Sequence, residues 1–207
     1  MLSEARLQDT SRLALAIGIA AAGSGACLAT YFAVQGPFGT INDIGNAATG
    51  LLSGGLAWRL RRQISGRAAN LSVGAAIVGA ALAVAGSALV VSGTTGFFYA
   101  GLVSSVGFAG IGAWLLVLNQ SDAIASVMPR RLRSLGIVAG ALMALGVAAA
   151  PGIVLRLDDM AAAPAWVWIG FIGWLGIFVA YPAWAIWLAN ETRPRREGIA
   201  ARRGTGA

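Results

Sequence analysis

The chain has 207 residues, of which 57% are hydrophobic and 11% are charged, and its formal net charge is +7. An ordinary water-soluble domain is excluded, because the apolar runs are too long to be buried in a core of this size. Arginine supplies all of the basic charge, since the sequence contains neither lysine nor histidine.

Six apolar runs follow one another along the chain. Each has about 20 residues, the length that crosses a hydrocarbon layer of about 30 Å. They are residues 13–34, 41–60, 71–91, 97–118, 135–155 and 165–188. Backbone groups in lipid must be hydrogen-bonded within their own segment, so each run is predicted to be a helix. The predicted fold is an all-α integral membrane protein, a six-transmembrane-helix bundle.

The arginines predict the orientation of this bundle. Fourteen of the fifteen lie before the first run, at or after the end of the second, after the fourth or after the sixth, and Arg156 alone lies on the other side. The positive-inside rule therefore places both termini in the cytoplasm. Residues 1–12 form a cytoplasmic N-terminal segment, 13–188 the six-helix transmembrane domain, and 189–207 a basic cytoplasmic tail. The expected location is the cell (inner) membrane of a bacterium, with the lipid bilayer as partner.

Small residues recur at four-residue spacing and predict where helices pack. The positions are Gly50, Gly54, Gly101, Ser105, Gly136 and Gly140. Small side chains at this spacing let helix backbones approach closely. These faces are predicted to build the interior of the bundle. A homo-oligomer, or a partner membrane subunit that uses the same faces, is the alternative.

Prolines and tryptophans add two local expectations. Pro151 and Pro182 lie inside the fifth and sixth runs and predict bends there. Trp114 and Trp184 lie toward the cytoplasmic ends of their runs. Tryptophan is enriched at membrane–water interfaces, so both are predicted to be interfacial anchors.

The residue types that are missing exclude most catalytic chemistry. Without histidine there is no histidine-ligated haem, no zincin motif and no His-dependent serine catalysis. Without lysine there is no Schiff base and no phosphate-loop lysine. We therefore expect no enzymatic activity, no cofactor and no metal site. The arginines follow membrane topology, so no nucleic-acid partner is expected either.

The stretch GPFGTINDIGNAATG, residues 36–50, contains Asp43, the only acidic residue in any apolar run. Thr40 and Asp43 have the spacing of a capping box, in which each side chain accepts from the other residue's backbone N–H. Asp43 is thus interpreted as a helix cap. Asn46 lies one turn deeper and is not explained by capping. Because polar residues inside spans face the bundle interior or a water-filled cavity, an outward-facing polar notch is the alternative.

Four residues are candidate ligand-binding residues of this notch: Asn42, Asp43, Asn46 and Arg156. Arg156 follows the fifth run, beside Asp158 and Asp159. It is expected either to pair with one of these loop aspartates, contributing about 0–1 kcal/mol, or to reach Asp43 at the mouth of the notch.

Two classes of function follow from these observations. One is small-molecule binding or transport through the notch. In its build, six spans with both termini inside, the chain resembles the substrate-capture subunits of vitamin transporters, and a substrate site in the bundle is what that resemblance implies. The other is a non-catalytic accessory or assembly subunit of a membrane complex, recognised through its small-residue faces.

Overall fold

The computed structural model describes residues 4–193, and all regular secondary structure in that range is helical, as predicted. Residues 1–3 and most of the predicted tail, 194–207, lie outside the described residues. The α-helices between residues 4 and 193 are α1 Glu4–Val34, α2 Phe38–Leu60, α3 Arg67–Val91, α4 Phe97–Gln120, α5 Asp122–Ala125, α6 Arg130–Ala144, α7 Ala150–Val154, α8 Val167–Leu175 and α9 Tyr181–Glu191. Residues Arg61–Gln63 and Leu145–Ala149 are 3₁₀ helix, and Gly176–Ala180 is π-helix.

These elements form six long helical segments. The first four are α1 to α4, the fifth joins α6 to α7 through the 3₁₀ stretch, and the sixth joins α8 to α9 through the π stretch. Each segment corresponds to one of the predicted apolar runs, with boundaries that differ by a few residues at most ends. The largest difference is at the start of α1, which begins at Glu4, so residues 4–12 of the predicted N-terminal segment belong to the first helix.

Consecutive segments run antiparallel and side by side. For α1 and α2, Ser24 meets Asn42 near one end of the pair, and Thr10 meets Arg59 at the other. The sixth segment returns to the first, because Ser11 Oγ donates to the Ala189 carbonyl oxygen at 2.7 Å. The bundle therefore has an arginine-rich end, near residues 7–12, 59–67, 120–133 and 188–193. The opposite end is formed by residues 34–38, 91–97 and 154–167.

Five of the six segments are long and apolar enough to cross a membrane: Leu7–Val34, Arg67–Val91, Phe97–Gln120, Arg130–Val154 and Val167–Glu191. Helix α2 is the exception. Its 23 residues are long enough, but Asn42, Asp43, Asn46 and several glycines lower its hydropathy. It nevertheless packs along α1 and α3. The described residues thus form an all-helical bundle that fits a polytopic membrane protein. A membrane-spanning role for α2 and the orientation of the bundle stay predictions.

Prolines coincide with the two interruptions of α-helical geometry. Pro151 lies two residues after the end of the 3₁₀ stretch Leu145–Ala149, and Pro182 lies two residues after the end of the π stretch Gly176–Ala180. Proline has no N–H to donate and its ring clashes with the carbonyl four residues earlier. Those carbonyls, of residues 147 and 178, lie inside the interrupted stretches. The predicted local distortions are therefore accommodated by a change of helix type.

Helices α3 and α4 approach most closely where each presents glycine to the other. A methyl group placed on Gly79 would collide with the Gly107 carbonyl oxygen, and one on Gly107 would lie 2.7 Å from the Ala83 nitrogen. Gly110 lies in the same contact, where a methyl group would be 2.5 Å from the Ala75 carbonyl oxygen. Backbone thus packs directly on backbone along this helix pair.

Most of the predicted small-residue faces also pack inside the bundle. Gly50 and Gly54 lie against alanines of α3, and Gly136 and Gly140 lie against α4. The Ser105 carbonyl oxygen lies against Gly146. Gly101 differs, because a methyl group there would have no neighbour within 4 Å.

Replacing Gly79 by alanine is expected to destabilise the fold. The added methyl group meets backbone, which cannot rotate away, so the two helices must separate. Overpacking of this kind costs about 1–3 kcal/mol. The measurement is the thermal unfolding midpoint of the purified protein in a mild detergent.

Gly74→Ala is the matched control, since Gly74 lies on the same helix with nothing within 4 Å of the added methyl group. It should match or exceed wild type, because alanine favours helix more than glycine does. Equal midpoints for the two variants would show that the α3–α4 contact is looser than described here.

Candidate functional site

Helix α2 begins earlier than its sequence indicates. Pro37, with φ of −74°, precedes the first helical residue, Phe38, and no side chain caps this end. Proline is already fixed near the helical φ, so the chain can enter a helix at this point. Thr40 is then inside the helix and Asp43 is its sixth residue. The predicted Thr40–Asp43 capping box is therefore wrong, and the Asp43 carboxylate has to be explained by its tertiary surroundings.

Those surroundings are a polar cluster between α1 and α2. Ser24 Oγ lies 2.8 Å from the Asn42 carbonyl oxygen, 2.9 Å from Asn42 Oδ1 and 3.0 Å from Asn46 Oδ1. Asn42 Nδ2 donates to Asp43 Oδ1 over a long 3.4 Å. All four side chains are buried. The helices come this close because Gly45 faces Ser24, where a methyl group would lie 2.8 Å from Ser24 Cβ.

The cluster opens onto a small internal cavity, here called the Asp43 cavity. Its lining comes from α1, α2, α4 and the sixth segment: Leu28, Asn42, Asp43, Asn46, Phe97, Gly101, Ser104, Ser105, Phe108, Trp174, Ile177 and Phe178. The volume is about 20 Å³, which is room for about one water molecule. It lies in the half of the bundle nearer the opposite end. A methyl group on Gly101 would meet nothing within 4 Å, so this glycine leaves the space beside it open.

Aromatic side chains close the cavity on the side of the sixth segment. Trp174 donates from Nε1 to Ser105 Oγ on α4 at 3.3 Å. Its ring contacts Phe171 edge-on, with centroids 4.3 Å apart, and Phe178 at 6.3 Å. Trp174 thus links the sixth segment to α4 through one hydrogen bond, between two residues that both line the cavity.

Arg156 does not join this cluster. It lies in the turn after α7 with φ of 52°, and its side chain is exposed. Within residues 4–193, no hydrogen bond or ion pair connects it to Asp43, Asp158 or Asp159. Both predicted pairings are therefore absent from the structure. Arg156 and Asp43 were expected to meet because both lie toward the same end of the bundle. That shared position does not determine the direction of the Arg156 side chain, which leaves a turn residue with left-handed φ.

Asp158 instead caps helix α4. Its two carboxylate oxygens accept from the backbone N–H groups of Gly96, at 2.7 Å, and Tyr99, at 3.0 Å. The first N–H groups of a helix have no partner within it. The residue at the cap position is Gly96 itself, which has no side chain to supply one. A loop sixty residues away in sequence satisfies these donors, so the cap could not be read from the local sequence.

Two further buried polar contacts were not predicted. Tyr181 and Ser53 hydroxyls lie 2.8 Å apart and connect α9 to α2. Trp184 Nε1 donates to Asn119 Oδ1 at 3.3 Å. Trp184 and Trp114 are both completely buried, so their assignment as interfacial anchors is wrong. Each tryptophan lies on the side of its helix that faces the bundle interior. This side, and not the distance of the residue from the membrane surface, determines its surroundings.

The groups that line the Asp43 cavity limit its chemistry. It contains one carboxylate, two amides and serine hydroxyls, and no cationic side chain. No group of three or more His, Cys, Asp or Glu side chains suited to a metal occurs in the described residues. A buried carboxylate is stable when it is paired or hydrogen-bonded. This cavity is therefore suited to a hydrogen-bond donor or a small monovalent cation.

Asp43→Asn and Arg156→Gln are expected to have additive effects on thermal stability. The two side chains share no contact, and independent sites add within about 0.5 kcal/mol. A double-mutant cycle read from detergent unfolding midpoints measures the coupling. A coupling clearly above this range would mean that Arg156 reaches the cavity.

Asp158→Ala is expected to destabilise the bundle by about 1 kcal/mol, the typical value for loss of a helix N-cap. The matched control is Asp159→Ala, since Asp159 accepts only from Ala161 N–H within its own loop. Chemical unfolding in mixed micelles would measure both. If the two variants unfold alike, the α4 cap contributes nothing to stability.

Comparison of the chain with protein-family models, with characterised proteins and with solved structures found no match. The geometry of the Asp43 cavity is therefore the basis for assigning a function.

Proposed function

We propose that this polytopic membrane protein binds a small solute in the Asp43 cavity and carries it across the membrane, rather than catalysing a reaction. One observation supports this proposal above all others. Asp43, the only acidic residue in the six apolar runs, lies in a buried cavity with amide and hydroxyl groups and without a cationic partner among the described residues. Ionisable residues inside membrane spans usually mark substrate or ion pathways.

The solute is a small cation or a strong hydrogen-bond donor. The Asp43 carboxylate receives one long hydrogen bond, from Asn42, and no ion pair within residues 4–193. Asp43 lines the cavity together with Asn46 and the α4 serines Ser104 and Ser105. A cation here would gain the carboxylate and neutral oxygens, and aromatic rings such as Phe108 and Trp174 in the lining attract a positive charge placed over their faces.

Transport requires the cavity to change its size and access. At about 20 Å³ it is closed to anything larger than a water molecule. Its aromatic wall belongs to the sixth segment, and Ile177 and Phe178 lie within the π stretch Gly176–Ala180. π-Helical turns are frequent at functional sites. Movement of this segment away from α4, with loss of the Trp174–Ser105 hydrogen bond, is the proposed opening step.

The distribution of the arginines supports a direction of transport across the membrane. With the arginine-rich end in the cytoplasm, the cavity lies in the outer half of the membrane and opens outward first. Release to the cytoplasm then requires a second path past Tyr181 and Trp184, which are completely buried and stacked with centroids 5.8 Å apart.

A non-catalytic accessory or assembly subunit is the second candidate, and one observation favours it. A lipid-facing groove of about 450 Å³ runs between α3, α4 and the fifth segment, and it is lined only by alanine, glycine, valine and leucine. Small residues in such a groove suit a partner helix. Copurification of a stoichiometric protein in mild detergent, without any solute response, would favour this candidate.

The binding test measures unfolding midpoints in sodium, methylammonium or tetramethylammonium chloride, against N-methylglucamine chloride at the same ionic strength. At least one small cation is expected to raise the wild-type midpoint with saturation, and Asp43→Asn is expected to remove that rise. Saturating binding stabilises because the ligand binds the folded state only.

Asp122→Asn is the control, because Asp122 is an exposed carboxylate in the short helix α5 at the arginine-rich end. It should respond like wild type. Uptake of the same cation into proteoliposomes then separates transport from binding alone. A wild-type protein whose midpoint is the same in all four salts would contradict the proposal.

A further inference from the structure

A polar cavity lies at the arginine-rich end, where α2 passes into its 3₁₀ turn. Its volume is about 220 Å³, and its lining includes Trp58, Arg59, Arg61, Arg62 and Gln63. Three arginines thus line one space at the end of α2. Arginine forms planar, bidentate hydrogen bonds with phosphate, so this lining suits a phosphate group.

These arginines differ in how far the protein already satisfies them. Arg59 pairs with Asp9 at 2.9 Å. The Arg61 guanidinium lies over the Trp58 ring, 3.3 Å from its centroid, which holds it in place without neutralising it. Arg62 makes no ion pair or hydrogen bond with any residue between 4 and 193, and neither does the Gln63 side chain. Two positive charges are therefore left for an anion.

An apolar cavity adjoins the polar one. It has a volume of about 580 Å³, within the range of ordinary ligand sites. Thr10, Leu60 and Gln63 line both cavities. The apolar part of the second lining is Leu7, Leu60, Ile124, Val127, Met128 and Leu188. Its one carboxylate, Glu191, already accepts a hydrogen bond from Trp187 Nε1 at 3.0 Å. A charged space and an apolar space thus meet along a shared edge.

We infer that the two cavities together form a binding site for one anionic phospholipid. Its phosphate binds Arg61, Arg62 and Gln63, and part of an acyl chain fills the apolar cavity. The adjoining cavities match an anionic amphiphile, because a free phosphate would leave the apolar cavity empty and a zwitterionic lipid would bring its own positive charge beside the arginines. This site is separate from the Asp43 cavity and does not depend on the function proposed for it.

Charge also distinguishes the lipid from the chain's own C-terminal segment, which starts beside the apolar cavity at Arg193. Residues 194–207 contain four arginines and one glutamate. Their net positive charge is repelled by Arg61 and Arg62, whereas an anionic headgroup is attracted. The observed charges therefore favour the lipid as occupant.

The test is lipid binding to the purified full-length protein, measured by native mass spectrometry in detergent. Phosphatidylglycerol and phosphatidylcholine with identical acyl chains are compared. We expect phosphatidylglycerol to bind with a clearly lower Kd. Arg61→Gln combined with Arg62→Gln should raise that Kd at least about tenfold, given about 1 kcal/mol per arginine near an anionic headgroup. Val127→Trp, at the exposed mouth of the apolar cavity, should weaken binding with the arginines intact.

Arg130→Gln combined with Arg131→Gln is the matched control, because it removes the same charge from exposed arginines at the same end of the bundle. It should leave the Kd within about twofold of wild type, since net charge away from the site is screened by salt. An equal loss in both double variants would overturn the site.

Three other results would also overturn it. The first is equal binding of the two lipids. The second is competition by inorganic phosphate as effective as that by phosphatidylglycerol, which would assign the polar cavity to free phosphate. The third is a wild-type protein that binds neither lipid.

Discussion

Close approach of helix backbones is the constraint on which this bundle depends. Inside a membrane, apolar side chains gain little by leaving lipid for protein, so helices associate mainly through van der Waals contact. Gly79, Gly107 and Gly110 bring α3 and α4 into backbone contact, and Gly112 and Gly140 do the same for α4 and α6. Helix α4 is consequently in contact with α2, α3, α6, α7 and α8 and forms the centre of the bundle. The positions of the other helices follow from it.

The polar groups inside the bundle are arranged by the same packing. Gly45 brings α2 close enough to α1 for Ser24 to contact both Asn42 and Asn46. Where Gly101 stands on α4, no side chain fills the interior, and the Asp43 cavity remains. Glycine therefore has two opposite effects here. It brings neighbouring helices together along most of α4 and leaves space where no neighbour approaches.

Much of the helical architecture could be predicted from the sequence, because run length and glycine spacing each reflect a local physical requirement. Asn42, Asp43 and Asn46 also lie together as their spacing on one helix suggests. Contacts that depend on distant residues could not be predicted. Thr40 is interpreted as a cap because its spacing to Asp43 matches a capping box, but the helix already begins after Pro37. Asp158 caps α4 from a loop that is distant in sequence. Trp114 and Trp184 face the interior because of the rotation of their helices about their own axes, and the position of a residue along the sequence does not predict that rotation.

The π stretch Gly176–Ala180 has a consequence for how the sixth segment meets its neighbours. A π turn contains one residue more than an α turn, so it changes the direction in which the side chains of the following helix, α9, point around the helix axis. Before it, Gly170 and Gly173 face the fifth segment; after it, Tyr181 and Trp184 face the core. One residue corresponds to about 100° of helix rotation. Loss of a single residue from this stretch would therefore keep every side chain of α9 yet turn its Tyr181–Trp184 face away from Ser53 and Asn119.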